Sequence, residues 1–257
     1  MRFLASLLVL AFASQANAGL LTSAFESRLE SWLGQGDLDF TNVFTKAPAS
    51  NSYAFHAAVD GIGPTITLMR ISRVENNAKD RAVGQILGGY NPQSWNRSGN
   101  FNLTSSNADR TGFIFNLSTD TKFDQRLSAT ASDPNEQGRG RYQTYNRLNS
   151  GPSFGAGSDL FLDYSLSDGY MRQYSYGVAG PGAFSSGYAG KNLLGDSRYI
   201  VTRPGIQNGF TDFRVSDVEV YTFAPAVVSP PVASVPEPAS VALFGLLSLG
   251  AIARRRR

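Results

Sequence analysis

Residues 213–223 read FRVSDVEVYTF, an alternation of apolar and polar side chains that is typical of a β-strand with one buried face. Val218 and Val220 lie two positions apart and predict the inward face of this strand. Phe113 and Phe115 repeat that spacing within residues 112–117. The pattern predicts a mainly β chain, arranged as an antiparallel sandwich of two sheets. Other short segments rich in Ile, Val, Phe and Tyr predict strands at 65–71, 82–87, 159–164 and 199–202.

One helix precedes these strands. Over residues 21–33 apolar side chains recur at spacings of three and four, which predicts a helix with one buried face. Gly34 follows directly and ends it. No repeat of fixed period is present in the sequence, which argues against solenoids and propellers. The apolar positions are Leu21, Phe25, Leu29, Trp32 and Leu33.

The chain has 257 residues, 42% of them apolar and 12% aromatic, which suits one domain or two small ones. Its 23 basic and 20 acidic residues give a formal charge of +3, but Arg2 and four terminal arginines account for five of the basic ones. With Glu237 also set aside, residues 19–234 carry 18 basic and 19 acidic side chains. This near-neutral segment lacks the basic excess that is typical of nucleic-acid binding. The absence of Cys excludes disulfides and thiolate metal sites.

Residues 1–18 have the layout of a secretory signal peptide. Arg2 precedes an apolar stretch over residues 3–12, and Ala16-Asn17-Ala18 forms a small-x-small cleavage site. An amphipathic first helix is the alternative, but residues 3–12 are apolar on nearly every side. We therefore predict that signal peptidase cleaves between Ala18 and Gly19, so that the mature domain begins at Gly19.

The C-terminal segment has three parts. Residues 224–234 form a linker rich in Pro and Val, and its prolines oppose both helix and central strand. After Pro236-Glu237-Pro238, residues 239–253 carry no charge and predict an apolar helix, which snorkelling arginines help to span a membrane. Four arginines then end the sequence and should stay on the cytoplasmic side.

This order of features over residues 235–257 resembles the PEP-CTERM sorting signal. The resemblance implies a bacterium with a Gram-negative type envelope and an exported protein that exosortase delivers to the cell surface or an exopolysaccharide matrix. The precursor would be anchored in the inner membrane transiently, through residues 239–253. A plain tail anchor is the alternative, but it does not account for the Pro-Glu-Pro triplet. The predicted sorting and processing residues are Ala18, Gly19, Pro236, Glu237, Pro238, Arg254, Arg255, Arg256 and Arg257.

Several sequence blocks follow one another between residues 29 and 223. They include Gly88-Gly89-Tyr90, GFIFNL at 112–117, GPSFGAGSDL at 151–160 and the closing strand. In this order they resemble the TLDc domain, the module of eukaryotic oxidation-resistance proteins. The resemblance implies a two-sheet antiparallel sandwich with a few flanking helices over residues 19–223, which agrees with the predicted strands. The motif residues that it marks are Gly88, Gly89, Tyr90, Gly151, Pro152, Phe154, Gly155 and Glu219.

The glycines of these blocks have physical explanations. Gly88-Gly89 is expected to supply a turn or positive backbone dihedrals. Gly151-Pro152 and Gly155 are expected to let the chain turn sharply into the strand at 159–164. These roles are structural and imply no reaction.

Candidate catalytic residues are few. His56 is the only histidine, and no Gly-x-Ser-x-Gly elbow accompanies it, so we expect it to pack beside Phe55. Paired carboxylates could serve acid–base catalysis or calcium binding, but solvated strand faces and turn caps account for them more simply. Glu219 is the strongest single carboxylate, and we expect it to hydrogen-bond an adjacent loop. The pairs are Asp37 with Asp39, Asp159 with Asp163, and Asp217 with Glu219.

Two stretches rich in glycine and polar residues, 131–141 and 174–190, predict surface loops. The second mixes glycine with tyrosine and suits either a sugar-binding surface or a crossover loop without a ligand. Residues 151–157 lack the Lys and Ser/Thr of a phosphate-binding loop. No cofactor, metal site or catalytic residue is predicted.

Together these features predict a non-catalytic binding or structural module, with signal peptidase and exosortase as processing partners and exopolysaccharide as a ligand. One alternative is a carboxylate-dependent enzyme that acts on exopolysaccharide through Glu219 or Asp217. A second is the oxidative-stress protection linked to eukaryotic TLDc proteins, although three Met and no Cys offer little thioether or thiol to oxidants. A third is a surface protein for cell cohesion without a discrete ligand.

Overall fold

The computed structural model of the protein describes residues 19–74, 80–127, 140–156, 158–172, 174–177, 192–194, 201–203, 206–207 and 211–227. Residues up to Pro225 belong to one compact unit, and the second unit, from Ala226 onward, is described only at 226–227. The predicted signal peptide, the sorting segment 235–257 and most of the predicted loops at 131–141 and 174–190 lie outside the described residues. No helix within the described ranges combines the length and hydropathy needed to cross a bilayer.

Two α-helices flank the strands in the described part of the chain. The first, α1 (Ser23–Leu33), confirms the predicted helix: the Thr22 hydroxyl accepts a hydrogen bond from the Phe25 N–H, and Gly34 ends the helix with a φ of 66°. The second, α2 (Ser52–Val59), was not predicted, because eight residues are too few to show a period. The sequence signal for α2 was Asn51, whose side chain accepts from two N–H groups of the first turn.

Thirteen β-strands are present within the described ranges. Every predicted strand overlaps one of them, but the strand predicted at 82–87 is wrong over its first four residues. There Gly84, with a φ of 86°, donates its N–H to the Ile71 carbonyl oxygen at 2.7 Å and closes a turn, so the strand begins only at Ile86. The strands are β1 (Leu38–Thr45), β2 (Thr65–Val74), β3 (Ile86–Asn91), β4 (Phe101–Leu103), β5 (Phe113–Asn116), β6 (Thr121–Asp124), β7 (Tyr142–Tyr145), β8 (Ser153–Phe154), β9 (Leu160–Leu162), β10 (Asp168–Met171), β11 (Val201–Arg203), β12 (Ile206–Gln207) and β13 (Thr211–Pro225).

The long closing strand β13 lies at the centre of the sheet. It pairs antiparallel with β10 near its start, with β2 along its middle and with β1 towards its end. From β2 the sheet continues through β3, β5 and β6, and from β10 it continues through β9, β8, β7 and β4. Eleven of the described strands thus form one open antiparallel sheet, while β11 and β12 pair separately. The predicted mainly β, antiparallel class is confirmed, with the strands joined in one continuous sheet.

The two arms of this sheet face each other across an apolar interior. Phe154 of β8 packs against Gly89 of β3, and its ring meets Trp95 edge-on, with ring centroids 5.5 Å apart. Phe55 of α2 is fully buried in the same cluster. On the opposite face of β2 and β3, a second apolar cluster includes Leu29 of α1. The central strands are therefore covered on both faces.

The four side chains predicted to face inward are all buried, but the pair on β5 and the pair on β13 lie in different apolar clusters. Phe113 and Phe115 of β5 lie in the cluster beneath α1. Val218 and Val220 of β13 lie in the cluster between the two arms. The alternation of side chains along each strand correctly predicted which ones are buried. Both faces of the sheet are apolar because an apolar cluster covers each of them.

Gly88 and Gly89 allow close packing, and the prediction that they supply a turn or positive dihedrals is wrong. Both lie inside β3 and neither has a positive φ. A β-carbon on Gly89 would lie 2.5 Å from the Phe154 ring, and one on Gly88 would lie 2.5 Å from the Phe115 ring. The missing side chains therefore make room for a large aromatic ring on each face of the strand.

We expect the substitution Gly89→Ala to lower the free energy of unfolding by about 1–3 kcal/mol, because the added methyl overlaps the Phe154 ring. Urea unfolding measures this loss. The double variant Gly89→Ala/Phe154→Leu should lose less than the two single variants added together, since the smaller side chain frees space for the methyl group. If the stability losses of the two single variants simply add up in the double variant, Gly89 does not serve to make room for the Phe154 ring.

Candidate functional site

A cleft of about 530 Å³ opens between the C-terminal end of α1 and strands β3, β5 and β6. Three of its lining residues are aromatic: Trp32 of α1, Tyr90 of β3 and Phe113 of β5. The Phe113 ring centroid lies 5.1 Å from that of Tyr90 and 6.1 Å from that of Trp32. Tyr90 and Phe113 are buried, whereas Trp32 is half-buried. The cleft therefore has an aromatic floor, one part of which remains accessible.

Polar groups lie on the strand side of the same cleft. Lys122 of β6 places Nζ 5.2 Å from the Phe113 ring centroid and 2.8 Å from Asp124 Oδ1. Burial raises the pKa of the Tyr90 hydroxyl, so this group stays protonated and can donate a hydrogen bond. The cleft thus combines an apolar face with both donors and acceptors, the composition of sites that bind small polar ligands.

Only some of the residues that line this cleft were singled out from the sequence. Tyr90 was noted as a motif residue, and Trp32 and Phe113 as buried positions of the predicted helix and strand. Lys122 and Asp124 were missed, because β6 has only four residues and its lysine and aspartate give no apolar pattern. The juxtaposition depends on how α1 lies across the sheet, which no local pattern encodes.

Glu219 is buried and hydrogen-bonded to the start of the domain. Its Oε2 accepts from the Leu20 N–H at 2.7 Å and from the Tyr221 hydroxyl at 2.5 Å. Burial, and then the hydrogen bond and charge of Glu219, raise the pKa of the Tyr221 hydroxyl, which therefore stays protonated. Asp217, two residues earlier, is exposed and pairs with Arg70 at 3.2 Å. The two carboxylates considered as a pair thus lie in different environments.

Asp159 is buried and accepts hydrogen bonds from main-chain groups. Its Oδ2 accepts from the N–H groups of Tyr174, Ser175 and Tyr176, at 2.9, 2.5 and 2.6 Å. Burial raises the pKa of this carboxyl to about 7, against the opposing effect of the three N–H donors. Asp159 therefore anchors residues 174–176, the first part of the predicted tyrosine-rich loop.

Asp163 and the remaining carboxylates have separate roles. Asp163 Oδ1 accepts from the Ser165 hydroxyl at 2.8 Å and caps the turn between β9 and β10. Asp37 and Asp39 are exposed. Within the described ranges, no group of three or more Asp, Glu or His side chains is placed to hold a metal ion.

The motif glycine Gly155 turns the chain beside Asp159. Its φ of 82° lies in the region that favours glycine, which agrees with the predicted sharp turn. A β-carbon at Gly155 would also lie 2.8 Å from Asp159 Oδ1. Gly151 packs against Leu166, and the buried Pro152 accepts the Leu162 N–H at its carbonyl oxygen. These motif residues hold β8 and β9 in place.

His56 bridges two segments, and among the described residues neither of its ring nitrogens contacts a hydroxyl group. Its Nδ1 lies 2.7 Å from Asp60 Oδ1, and Asp60 Oδ2 accepts from Arg97 Nε at 2.8 Å. Its Nε2 lies 3.1 Å from the Arg147 carbonyl oxygen. A Ser-His-Asp triad requires a hydroxyl at that second nitrogen. The arrangement fastens α2 to residue 147, and the His56 ring packs against Phe55 with centroids 5.2 Å apart.

The raised pKa of Asp159 predicts a pH-dependent stability. The carboxyl binds its proton more tightly in the folded state, so its contribution is full below about pH 4 and disappears as pH rises through about 7. We expect wild-type stability to fall relative to Asp159→Asn across this window, by up to about 1.4 kcal/mol per pH unit. Urea unfolding between pH 4.5 and 8 measures the difference.

The control for this experiment is Asp163→Asn, which changes a nearby carboxylate outside the buried position. Its stability should follow the wild-type pH dependence, since its environment is the turn and not the interior. If the free energy of unfolding changes with pH in the same way in wild type and Asp159→Asn, the buried carboxyl does not cause this pH dependence.

Comparison with known families agrees with the motifs in the sequence. The model of the TLDc domain matches residues 44–224, well over half of the chain. The model of the PEP-CTERM protein-sorting motif matches residues 234–257, which confirms the predicted sorting signal. No curated protein matches the sequence. The motif indicates export, processing by exosortase and sorting to the cell surface. The chain therefore belongs to the TLDc family and is an exported member of it that carries an exosortase sorting signal.

Proposed function

We propose that the mature protein is a non-catalytic module that binds exopolysaccharide at the cell surface or in the surrounding matrix. The supporting observation is the cleft with the aromatic floor of Trp32, Tyr90 and Phe113. The precursor would be held in the inner membrane through residues 239–253 until exosortase processes it. In the mature form the cleft would face the polymer that surrounds the cell.

The chemistry of the cleft suits a sugar. A pyranose ring has an apolar face that packs on aromatic side chains, and hydroxyl groups at its edge that need donors and acceptors. Trp32 offers a half-buried aromatic ring, with Arg28 Cζ 5.9 Å from its centroid, while Lys122 and Asp124 offer a cation and an anion 2.8 Å apart. Two cations, Lys122 and Arg110, and one anion, Asp124, line the cleft, so it suits neutral or acidic sugar units.

We expect Trp32→Ala to weaken binding of the processed protein to the host's own exopolysaccharide by about 10-fold, since it removes the most accessible aromatic ring of the cleft. Titration calorimetry with the purified polymer measures this loss. Lys122→Gln should have a smaller effect, because it keeps a hydrogen-bond donor at the edge of the cleft.

The matched control is Tyr53→Ala, which removes an exposed aromatic side chain of α2 that does not line the cleft. It should bind like wild type. Thermal unfolding of each variant separates lost contacts from lost structure, because Trp32 also packs against Phe115 with ring centroids 5.6 Å apart. Equal losses for Trp32→Ala and Tyr53→Ala, or release of new reducing ends from the polymer by wild type, would contradict the proposal.

A further inference from the structure

The main chain at the predicted signal-peptide cleavage site lies beside a buried carboxylate. Leu20 is buried, and its N–H donates to Glu219 Oε2 at 2.7 Å. A β-carbon on the exposed Gly19 would lie 3.4 Å from that oxygen and 3.2 Å from the Tyr221 hydroxyl oxygen. The Gly19 nitrogen is two bonds, about 2.5 Å, from that position, so it lies within about 6 Å of the carboxylate.

The described groups that hydrogen-bond Glu219 in the uncleaved chain are neutral. The Leu20 N–H and the Tyr221 hydroxyl both donate to Oε2, and burial keeps the Tyr221 hydroxyl protonated. Other carboxylates form ion pairs with Arg28, Arg70, Arg97, Lys122 and Arg214. A buried carboxylate is stabilised by a cation at short range, because solvent screens such a charge poorly.

Cleavage creates such a cation. In the precursor the Gly19 nitrogen is a neutral amide joined to Ala18. Hydrolysis of this bond consumes one water molecule and leaves a carboxylate on Ala18 and an α-ammonium group on Gly19 at neutral pH. A positive charge therefore appears within about 6 Å of Glu219, a range at which opposite charges interact appreciably.

We propose that Glu219 is the receptor for the mature N-terminus: removal of the signal peptide places the Gly19 α-ammonium group beside the Glu219 carboxylate, and this ion pair stabilises the exported domain. The proposal depends on cleavage between Ala18 and Gly19 and is independent of any ligand. Glycine fits this position because a side chain would approach the Tyr221 hydroxyl oxygen at 3.2 Å. The domain then becomes more stable only after it has been processed.

The test compares the charge of the N-terminus in two backgrounds. The processed protein is purified from the cell surface, and its intact mass must place Gly19 first. The α-amine is then acetylated at mildly acidic pH, which removes its charge, or reductively dimethylated, which retains it. Acetylation should lower the Tm by about 2–4 °C, whereas dimethylation should leave it within about 1 °C.

The same treatment of Glu219→Gln identifies the partner. In this variant acetylation should no longer lower the Tm, because the carboxylate is gone while the Leu20 contact can persist through the amide oxygen. If Glu219→Gln does not fold, a second variant can be used in its place. Insertion of two residues between Ala18 and Gly19 moves the amine away, keeps Glu219, and should lower the Tm as acetylation does.

Three results would overturn the proposal. One is an equal loss of Tm on acetylation in the wild-type and Glu219→Gln proteins. Another is an extended N-terminus that is as stable as the native one. The third is a mature chain that begins at a residue other than Gly19.

Discussion

The pairing of β13 with three other strands is the interaction on which the rest of the structure depends. At about 3.3 Å per residue its fifteen residues extend roughly 50 Å, far longer than a typical strand, and one partner could not satisfy its main chain. Register shifts between Arg214 and Asp217 mark bulges in its pairing with β2, next to the point where its pairing with β10 ends. One arm of the sheet continues from β2 and the other from β10, so β13 joins the two arms.

Double covering of the central strands imposes the next constraint. Because both faces of β3 carry apolar layers, two large rings, Phe115 and Phe154, need space beside the same strand, and the glycine pair provides it. Burial on both sides also removes main-chain and side-chain polar groups from water, so they require internal partners. Asp159 and His56 supply such partners between segments far apart in the sequence. In a domain without cysteine, these buried polar contacts connect loops to the sheet in the absence of disulfides.

The sequence predicted those features that local patterns encode. The period of two located the central strands, the period of 3.6 located α1, and Gly34 marked its end. Some short strands, such as β6 and β8, were missed because so few residues show no period, whereas the equally short β5 and β9 were predicted from their apolar side chains. The role of Gly89 was misjudged for a different reason: a glycine that avoids a clash with a ring some sixty residues away looks, in the sequence, like a glycine that makes a turn. The cleft was missed as a unit because it needs α1 and three strands brought together.

The candidate cleft lies at one end of α1, and the hydrogen bond between Leu20 and Glu219 lies at the other. Leu20 is held by Glu219, Thr22 caps α1 two residues later, and Trp32 lines the cleft at the other end. Between them Leu29 is buried and Arg28 pairs with Asp120 at 2.9 Å. An eleven-residue helix is about 16 Å long and keeps its two ends at a fixed distance, so the anchoring of Leu20 contributes to the position of Trp32. A binding residue that is already ordered in the free protein costs less free energy to immobilise when the ligand binds. The contact between Leu20 and Glu219 therefore helps to position Trp32, which connects the residues before α1 to the surface that we propose binds polysaccharide.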